Sequence, residues 1–556
     1  MSNYLDANAL NFNATGQFKG RYDLFGSTPW TPEPTSAVSY TAGRNLLIIG
    51  EMEQASRIIQ GCGSRLNTYI AIPSEKSGFA SSANAHHVAG LAVQGFLGHF
   101  EVLIDQHLDQ PNSSEQNLAK LFDIEGGLFD QVWDCQIEPC FTAELKPPGY
   151  YNERISEDND RPGDRTDILP EMIGEFEKPK YFHYDPEICA HGRSGIKGCN
   201  NCLNACPADA IISIGDTIEV NPHLCQGGGV CASSCPTGAI TYVYPPTDQH
   251  LELLRTLVKG MLKAYPNKAP EVVFVDNEYG VDRFNEQFQE MVHTVLPFVV
   301  EEIGSVGPEM IASALAYGAG RVFIYTATGT PVKVVETLKK TVGQINTVLQ
   351  ETACTDRSLS MGDSLEGVGV SVLDGVIKPA TYAPIGDKRA ITRKAYSHFN
   401  EVAESPRELF AMPEGSMFGR IRVDNETCTL CMGCVSQCPG KALQAGGETP
   451  ALRFIEVNCV QCGICQKSCP ESSITLEPRL HFDLNIINKP ISLKEESPFH
   501  CIVCGKPFAT QAMITRMTDK LKGHWMFDDA GSLNRLRMCG DCRVIDMLEE
   551  ENHKLT

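Results

Sequence analysis

The chain has 556 residues, 42% of them apolar, and 47 Lys plus Arg against 69 Asp plus Glu give it a formal charge of −22. That length allows roughly three to five domains, and the apolar share is ample for packed cores, which excludes global disorder. So acidic a surface repels phosphate backbones and anionic lipid, so nucleic-acid binding is disfavoured and a basic protein partner is expected.

In chain order, residues 1–40 are polar and rich in Pro, Ser, Thr and Asn, and read as an irregular arm. The opening Met1-Ser-Asn-Tyr-Leu-Asp has no basic stretch followed by an apolar one, so no secretory signal is expected and a cytoplasmic location is. Arg44–Gly50 predicts a buried strand, Glu51–Gln60 a helix and Asn67–Ile72 a second strand, a βαβ pattern. With the strand-like runs His87–Ile104 and Phe129–Ile137, residues 41–150 read as an α/β domain. It lacks a Gly-x-Gly-x-x-Gly turn, so a scaffold role is expected rather than a dinucleotide site. The acidic stretch 152–180 leads to a first cysteine module at 180–245. Residues 250–405 predict a second α/β domain. Its helices are expected at Leu251–Tyr265, Phe284–His293, Pro308–Tyr317, Val332–Leu349 and 385–403. Its strands are expected at Val272–Asp276, Leu296–Ile303 and Arg321–Thr326, forming a small parallel sheet. The strand Phe418–Val423 opens a second cysteine module, 418–480, and 495–556 is a cysteine-paired tail. The longest apolar runs, such as Val295–Val300, fall far short of the about 20 residues of a membrane span. The fold class is thus two α/β (Rossmann-like) domains alternating with two cysteine modules, plus a four-cysteine tail.

Cysteine carries the chemistry. There are 23, and 19 fall in three tight groups, leaving Cys62, Cys135, Cys140 and Cys354 as ordinary thiols. Clustered cysteines without a secretory signal point to metal rather than disulfides. Cys428, Cys431, Cys434 and Cys438-Pro439 have the spacing C-x2-C-x2-C-x3-C-P, and Cys459, Cys462, Cys465 and Cys469-Pro470 repeat it. This is the bacterial two-cluster ferredoxin run, in which the fourth cysteine serves the other cluster. One 4Fe–4S cluster is therefore expected on Cys428, Cys431, Cys434 and Cys469, and another on Cys459, Cys462, Cys465 and Cys438. In the first module Cys199, Cys202 and Cys206-Pro207 end such a run, but Ile196 stands at its first position. Cys189, beyond the glycine-containing insert Ala190–Gly198, is expected to replace it and join Cys199, Cys202 and Cys235. The second run reads Cys225, Gly228, Cys231 and Cys235-Pro236, so glycine replaces one ligand. The remaining set, Cys206, Cys225 and Cys231, suits a 3Fe–4S cluster, a 4Fe–4S cluster with water or a side chain such as His223, or an empty site. In the tail, Cys501-x2-Cys504 and Cys539-x2-Cys542 make a four-thiolate site, for zinc or a single iron. His183 and His191, near the cluster loops, are expected to be partly exposed and not ligands.

Phe176–Gly195, Pro222–Gly227, Cys428–Gly433 and Pro507–Met513 resemble the large polyferredoxin-type 4Fe–4S proteins of proteobacteria, often encoded beside formate dehydrogenase and its accessory genes. That family has Cys where this chain has Gly228. Leu296–Thr326 is loosely similar to the delta subunit of methyl-viologen-reducing hydrogenases, without its cysteines. The resemblance implies electron transfer to or from a redox enzyme, with formate dehydrogenase as partner. No flavin, nucleotide or molybdenum-cofactor motif is visible, so no substrate chemistry is expected. An assembly or maturation factor for such an enzyme, or a scaffold using the tail, is the alternative.

Overall fold

Leu46, Leu47, Ile48 and Ile49 are all buried, although successive strand residues face opposite ways. A strand covered on both faces belongs in the interior of a parallel sheet. In the computed structural model it lies there: the sheet runs, in spatial order, Tyr150–Asn152, Gln131–Asp134, Asn45–Ile49, Asn67–Pro73, Ala85–Val88 and Gly78–Phe79. All pairs are parallel except the last. Leu46 and Ile48 pack on Ala55, Ile58 and Cys62 of the helix Met52–Cys62, whose start is closed by a capping box between Glu51 and Gln54. Leu47 and Ile49 pack on Phe100, Val102 and Leu118. The structure describes residues 15–28, 30, 33, 35–74, 78–79, 84–105, 116–152, 162–375, 377–447, 449–527 and 530–555.

The second sheet is parallel throughout, in the spatial order Val295–Val300, Glu271–Asp276, Arg321–Tyr325, Ser358–Gly362. Helices Thr247–Ala264, Pro308–Ala316, Val332–Glu351 and Lys388–Val402 contribute to its core. The last strand escapes a sequence reading because Ser358-Leu-Ser-Met-Gly is half polar, as suits an edge. The helix expected at Phe284–His293 is instead Val281–Phe288. Phe284 and Phe288 form its buried i,i+4 pair, and the chain then turns to place Met291 in the core before the next strand.

The expectation of an irregular arm over 1–40 needs correction. Residues 1–14 lie outside the described residues, but Lys19–Gly26 is a helix, and Ala37–Ala42 is a strand antiparallel to Gly174–Pro179. Arg21 anchors the helix: it is 1% exposed, donates to the Val295 carbonyl at 2.9 Å and lies 4.3 Å from the Phe288 ring centre. Its charge disguises a core-facing position. In the stretch 152–180, residues 153–161 are outside the description. Pro162–Met172 packs as a 3-10 segment on Met52–Cys62 through Leu169.

The two cysteine modules share one plan. In the first, Phe182–Tyr184 pairs with Ile240–Tyr242 and Ile211–Ile214 with Thr217–Val220, all antiparallel, around short helices Asn201–Ala205 and Val230–Ser234. In the second, Gly419–Val423 pairs with Ile474–His481 and Leu443–Ala445 with Ala451–Phe454, around helices Gly433–Gln437 and Ile464–Lys467. Each short helix follows or overlaps a cysteine run. No helix among the described residues is long and apolar enough to cross a membrane.

Candidate metal centres

In the second module two small cavities of similar size are lined by cysteines. Cys428, Cys431, Cys434 and Cys469 line one, with Leu430, Met432, Leu452 and Ile474. Cys438, Cys459, Cys462 and Cys465 line the other, with Ile421, Leu443, Phe454 and Leu476. Each cage therefore takes three thiols from one run and the fourth from the other. The loops reach this shape through left-handed residues at fixed offsets. Leu430 and Met432 have φ of 54° and 59°, and Gln461 and Gly463 have 55° and 78°. The amide two residues past the first cysteine, that of Leu430 or Gln461, donates to its sulfur.

The donor set fits iron–sulfur clusters. Burial, and then neighbouring sulfurs of the same cage, push the Cys434 thiol up to about 12. Sulfurs packed this closely in apolar surroundings stay protonated unless cationic iron holds them as thiolates.

The altered first module keeps the second cage-forming loop. Gly227 and Gly229 have φ of 87° and 68°, at the same offsets from Cys225 as Gln461 and Gly463 from Cys459. The Gly227 amide donates to the Cys225 sulfur. Burial, then the sulfurs of Cys225 and Cys206, push Cys231 well above its usual range, so these three residues stand together. The insert before Cys199 is a hairpin, Gly192–Arg193 against Ile196–Lys197, turned by Ser194 and Gly195 at φ of 51° and 77°. Positive φ at both central residues is the hairpin-turn signature. The Cys199 amide donates to Ala190 O at 2.9 Å, which sets Cys189 beside Cys199 despite the inserted residues. Burial, then the sulfurs of Cys235, Cys199 and Cys189, push Cys202 up to about 12.

Sequence reasoning missed a set of basic side chains that hold these loops. Lys178 donates to the carbonyls of His223 and Cys225 at 2.8 and 2.7 Å. Lys333 donates to Cys206 O at 3.0 Å and to Asp209 at 2.7 Å. Lys388 reaches Ala232 O and Ser233 O, Arg389 reaches Cys459 O, and Lys494 reaches Asn425 O and Cys428 O. No sequence signal marks them, because each lies far along the chain from its carbonyl. Cations so placed offset the negative charge of a thiolate-ligated cluster.

His183 is exposed, as expected. His191 is not: it is 2% exposed, with its ring nitrogens 3.0 Å from Cys199 O and 2.7 Å from Ser213 Oγ. The His223 ring stacks on Phe96 at 4.3 Å, with Nε2 3.2 Å from Ser39 O, so it is engaged with the first domain. Cys62, Cys135 and Cys354 are buried, and Cys140 is half-buried.

In the tail, Cys501, Cys504, Cys539 and Cys542 bring their sulfurs within 4.8 Å of one another. The Cys504 and Cys539 sulfurs are 3.7 Å apart. Four thiolates at about 2.3 Å from one tetrahedral ion stand about 3.8 Å apart, so the spacing suits a single ion. Burial raises the Cys501 thiol, but the amides of Cys504, Cys539 and Val503 outweigh it and hold it down to about 6. The tail docks on the second module. Thr510 Oγ1 donates to Thr429 O at 3.0 Å, and Arg516 pairs at 2.8 Å with Glu471, which lines the Cys428 cavity.

Comparison with known proteins agrees with the cages. Residues 218–241 match a family described as a 4Fe-4S binding domain, and residues 425–443 and 458–472 match a second family of the same description. Hydrogenase-4 component A of Escherichia coli K12 is 34% identical over 86 residues, 15% of this chain and 39% of that protein. The ferredoxin-type protein NapF of the same strain is 30% identical over 92 residues, 16% of this chain and 56% of that protein. The chain thus spans only about half or less of either relative, and it carries 4Fe-4S binding domains.

Proposed function

We propose that the chain is an iron–sulfur electron-transfer protein of the polyferredoxin kind, relaying electrons to or from a redox enzyme. The observation that carries this reading is the pair of interleaved four-cysteine cages of the second module. A buried set of thiols divided three and one between two runs is what a two-cluster ferredoxin requires. In this reading Cys428, Cys431, Cys434 and Cys469 hold one 4Fe–4S cluster, and Cys438, Cys459, Cys462 and Cys465 a second. Cys189, Cys199, Cys202 and Cys235 hold a third. Cys206, Cys225 and Cys231 hold a fourth, of the 3Fe–4S or 4Fe–4S type. Cys501, Cys504, Cys539 and Cys542 hold one zinc. The relatives are named as a hydrogenase component and a ferredoxin-type protein, which suits a redox partner. The partner we propose is a formate dehydrogenase, in the cytoplasm, from the family resemblance.

The test uses full-length protein purified anaerobically. Formate plus a formate dehydrogenase should bleach its visible iron–sulfur absorption, and an electron acceptor should restore it. Bleaching by dithionite but not by the enzyme removes the formate link. Iron near zero with several zinc ions after anaerobic reconstitution removes the iron–sulfur reading.

A further inference from the structure

The whole second α/β unit separates the two cysteine modules in sequence, yet the modules touch. Gly198, at the end of the insert hairpin and next to Cys199, abuts Ile464, which lies between Cys462 and Cys465. A Cβ added at 198 would stand 2.5 Å from Ile464 Cγ1. Around this contact Lys467 Nζ donates to Lys197 O at 2.8 Å, and Gln437 Nε2 to Ser194 Oγ at 3.1 Å. The helix Lys388–Val402 braces both sides. Lys388 Nζ donates to Ala232 O and Ser233 O of the first module at 2.7 and 3.0 Å, and Arg389 to Cys459 O of the second at 2.7 Å.

Packing orders the cages. The helix Gly433–Gln437 packs on Ile464–Lys467 within the second module, Ile464–Lys467 meets the hairpin strand Ile196–Lys197 that precedes Cys199, and Asn201–Ala205 packs on Val230–Ser234 within the first. The Cys428 cage is the outer one on one side, with Cys431 exposed. At the other end the Cys225 loop is closed off by the second α/β unit: a Cβ at Gly229 would meet Ser305 at 2.6 Å, and one at Gly304 would meet Gly228 O at 2.3 Å.

We propose that electrons cross between the modules at the Gly198–Ile464 contact, which makes the Cys199 and Cys462 cages the inner pair of one continuous four-cage relay running from the exposed Cys431 to the enclosed Cys225 loop. This rests on the iron–sulfur reading above and adds the order of the cages and the crossing point. At the crossing one centre is oxidised by one electron as its neighbour is reduced by one, and no bond forms or breaks. The electron is supplied by a low-potential one-electron donor docked over Cys431. Transfer falls steeply with distance, so a direct van der Waals contact on the buried Ile464 side chain serves it better than a wider gap between the modules.

The test is electron paramagnetic resonance of the full-length, dithionite-reduced protein. A variant carrying Cys431→Ala, Cys434→Ala, Cys225→Ala and Cys231→Ala empties the outer cages and should retain about eight irons. Its two remaining centres, one from each module, should give a spectrum broadened by mutual spin coupling, and adding Gly198→Val should remove much of that broadening. Eight irons with two uncoupled signals would overturn the proposal. If that variant loses its iron, Gly198→Val in the otherwise intact chain decides: its signals should saturate at lower microwave power than those of the wild type, and unchanged saturation overturns the crossing point. Metal analysis separates the two failures, because wild-type protein without iron overturns the iron–sulfur reading itself.

Discussion

At the scale of single residues, the first module keeps a cage-forming loop although glycine stands at one ligand position. Gly227 and Gly229 keep the left-handed conformation seen at Gln461 and Gly463, so the backbone still wraps a cage although the thiol at 228 is gone. A Cβ at 228 would find only Pro207 Cγ, 4.0 Å away. Gly228→Cys should therefore be accepted without strain and add about one iron per chain. Air-oxidised wild type should show a 3Fe–4S paramagnetic signal that Gly228→Cys removes, since one iron without a protein ligand is the one released. Wild type lacking this signal, with no iron gained by the variant, would show an empty or otherwise capped site. His223→Ala should leave the signal in place, because the ring is held by Phe96 and the Ser39 carbonyl.

At the scale of elements, the strand Ile474–His481 ties the second module together through two kinds of ion pair. Arg479 and Glu456 are 8% and 6% exposed and joined by paired hydrogen bonds, one at 2.9 Å, just before Cys459. Removing one partner of a buried pair costs about 3–5 kcal/mol, because the other charge stays buried. Arg479→Met should lower the unfolding free energy from denaturant melts by about that amount, seen as a lower midpoint, and release about four irons from the Cys459 cage. Glu477 bridges Arg420 and Arg422 nearer the surface, at 2.8 and 2.5 Å. The Arg422 hydrogen bond leads in holding the Glu477 carboxyl down to about 2, against an ordinary 4.5. A depressed carboxyl contributes stability above its ordinary value and loses it as pH falls through the depressed one. The stability gap between wild type and Glu477→Gln should thus be about 1 kcal/mol or less at pH 7, given solvent screening, and shrink as pH falls from 4.5 toward 2. In the tail, Cys501, Met538 and Cys539 form the buried cluster, with Phe508 and Cys542 against it. If the four thiols hold the proposed ion, so small a core is expected to depend on it. Cys542→Ser should lose about one zinc, keep the iron, and open 501–555 to limited proteolysis; full protection would argue against a structural ion.

At the scale of the whole molecule, the charge of −22 counts neither iron nor cluster sulfide. Each fully ligated cube with its four thiolates adds about −2. A redox partner is therefore expected to present Lys or Arg, and its association rate should fall several-fold as ionic strength rises from tens of millimolar to physiological. A rate independent of salt with the functional partner would show that docking does not use this charge.

The ferredoxin runs were legible in the sequence because a cluster imposes cysteine spacings short enough for one loop to satisfy, as at Cys428–Cys438 and Cys459–Cys469. The parallel-sheet strands were legible where burial on both faces demanded unbroken apolar runs, as at Leu46–Ile49 and Val295–Val300. Arg21, the edge strand Ser358–Gly362 and buried His191 were not legible, because in each case polar residues are accommodated by contacts that no local pattern marks: the Val295 carbonyl, the neighbouring strand Arg321–Tyr325 and the Ser213 hydroxyl. By itself the sequence determined which thiols can group, that one position holds glycine in place of a ligand, and that the surface is acidic. Only the tertiary structure decided that the insert between Cys189 and Cys199 folds as a hairpin, that basic side chains clasp the carbonyls of the cage loops, and that the modules meet at Gly198 and Ile464. Local spacing is written in consecutive residues, whereas contacts across hundreds of residues depend on how the second α/β unit folds between the modules and brings them together.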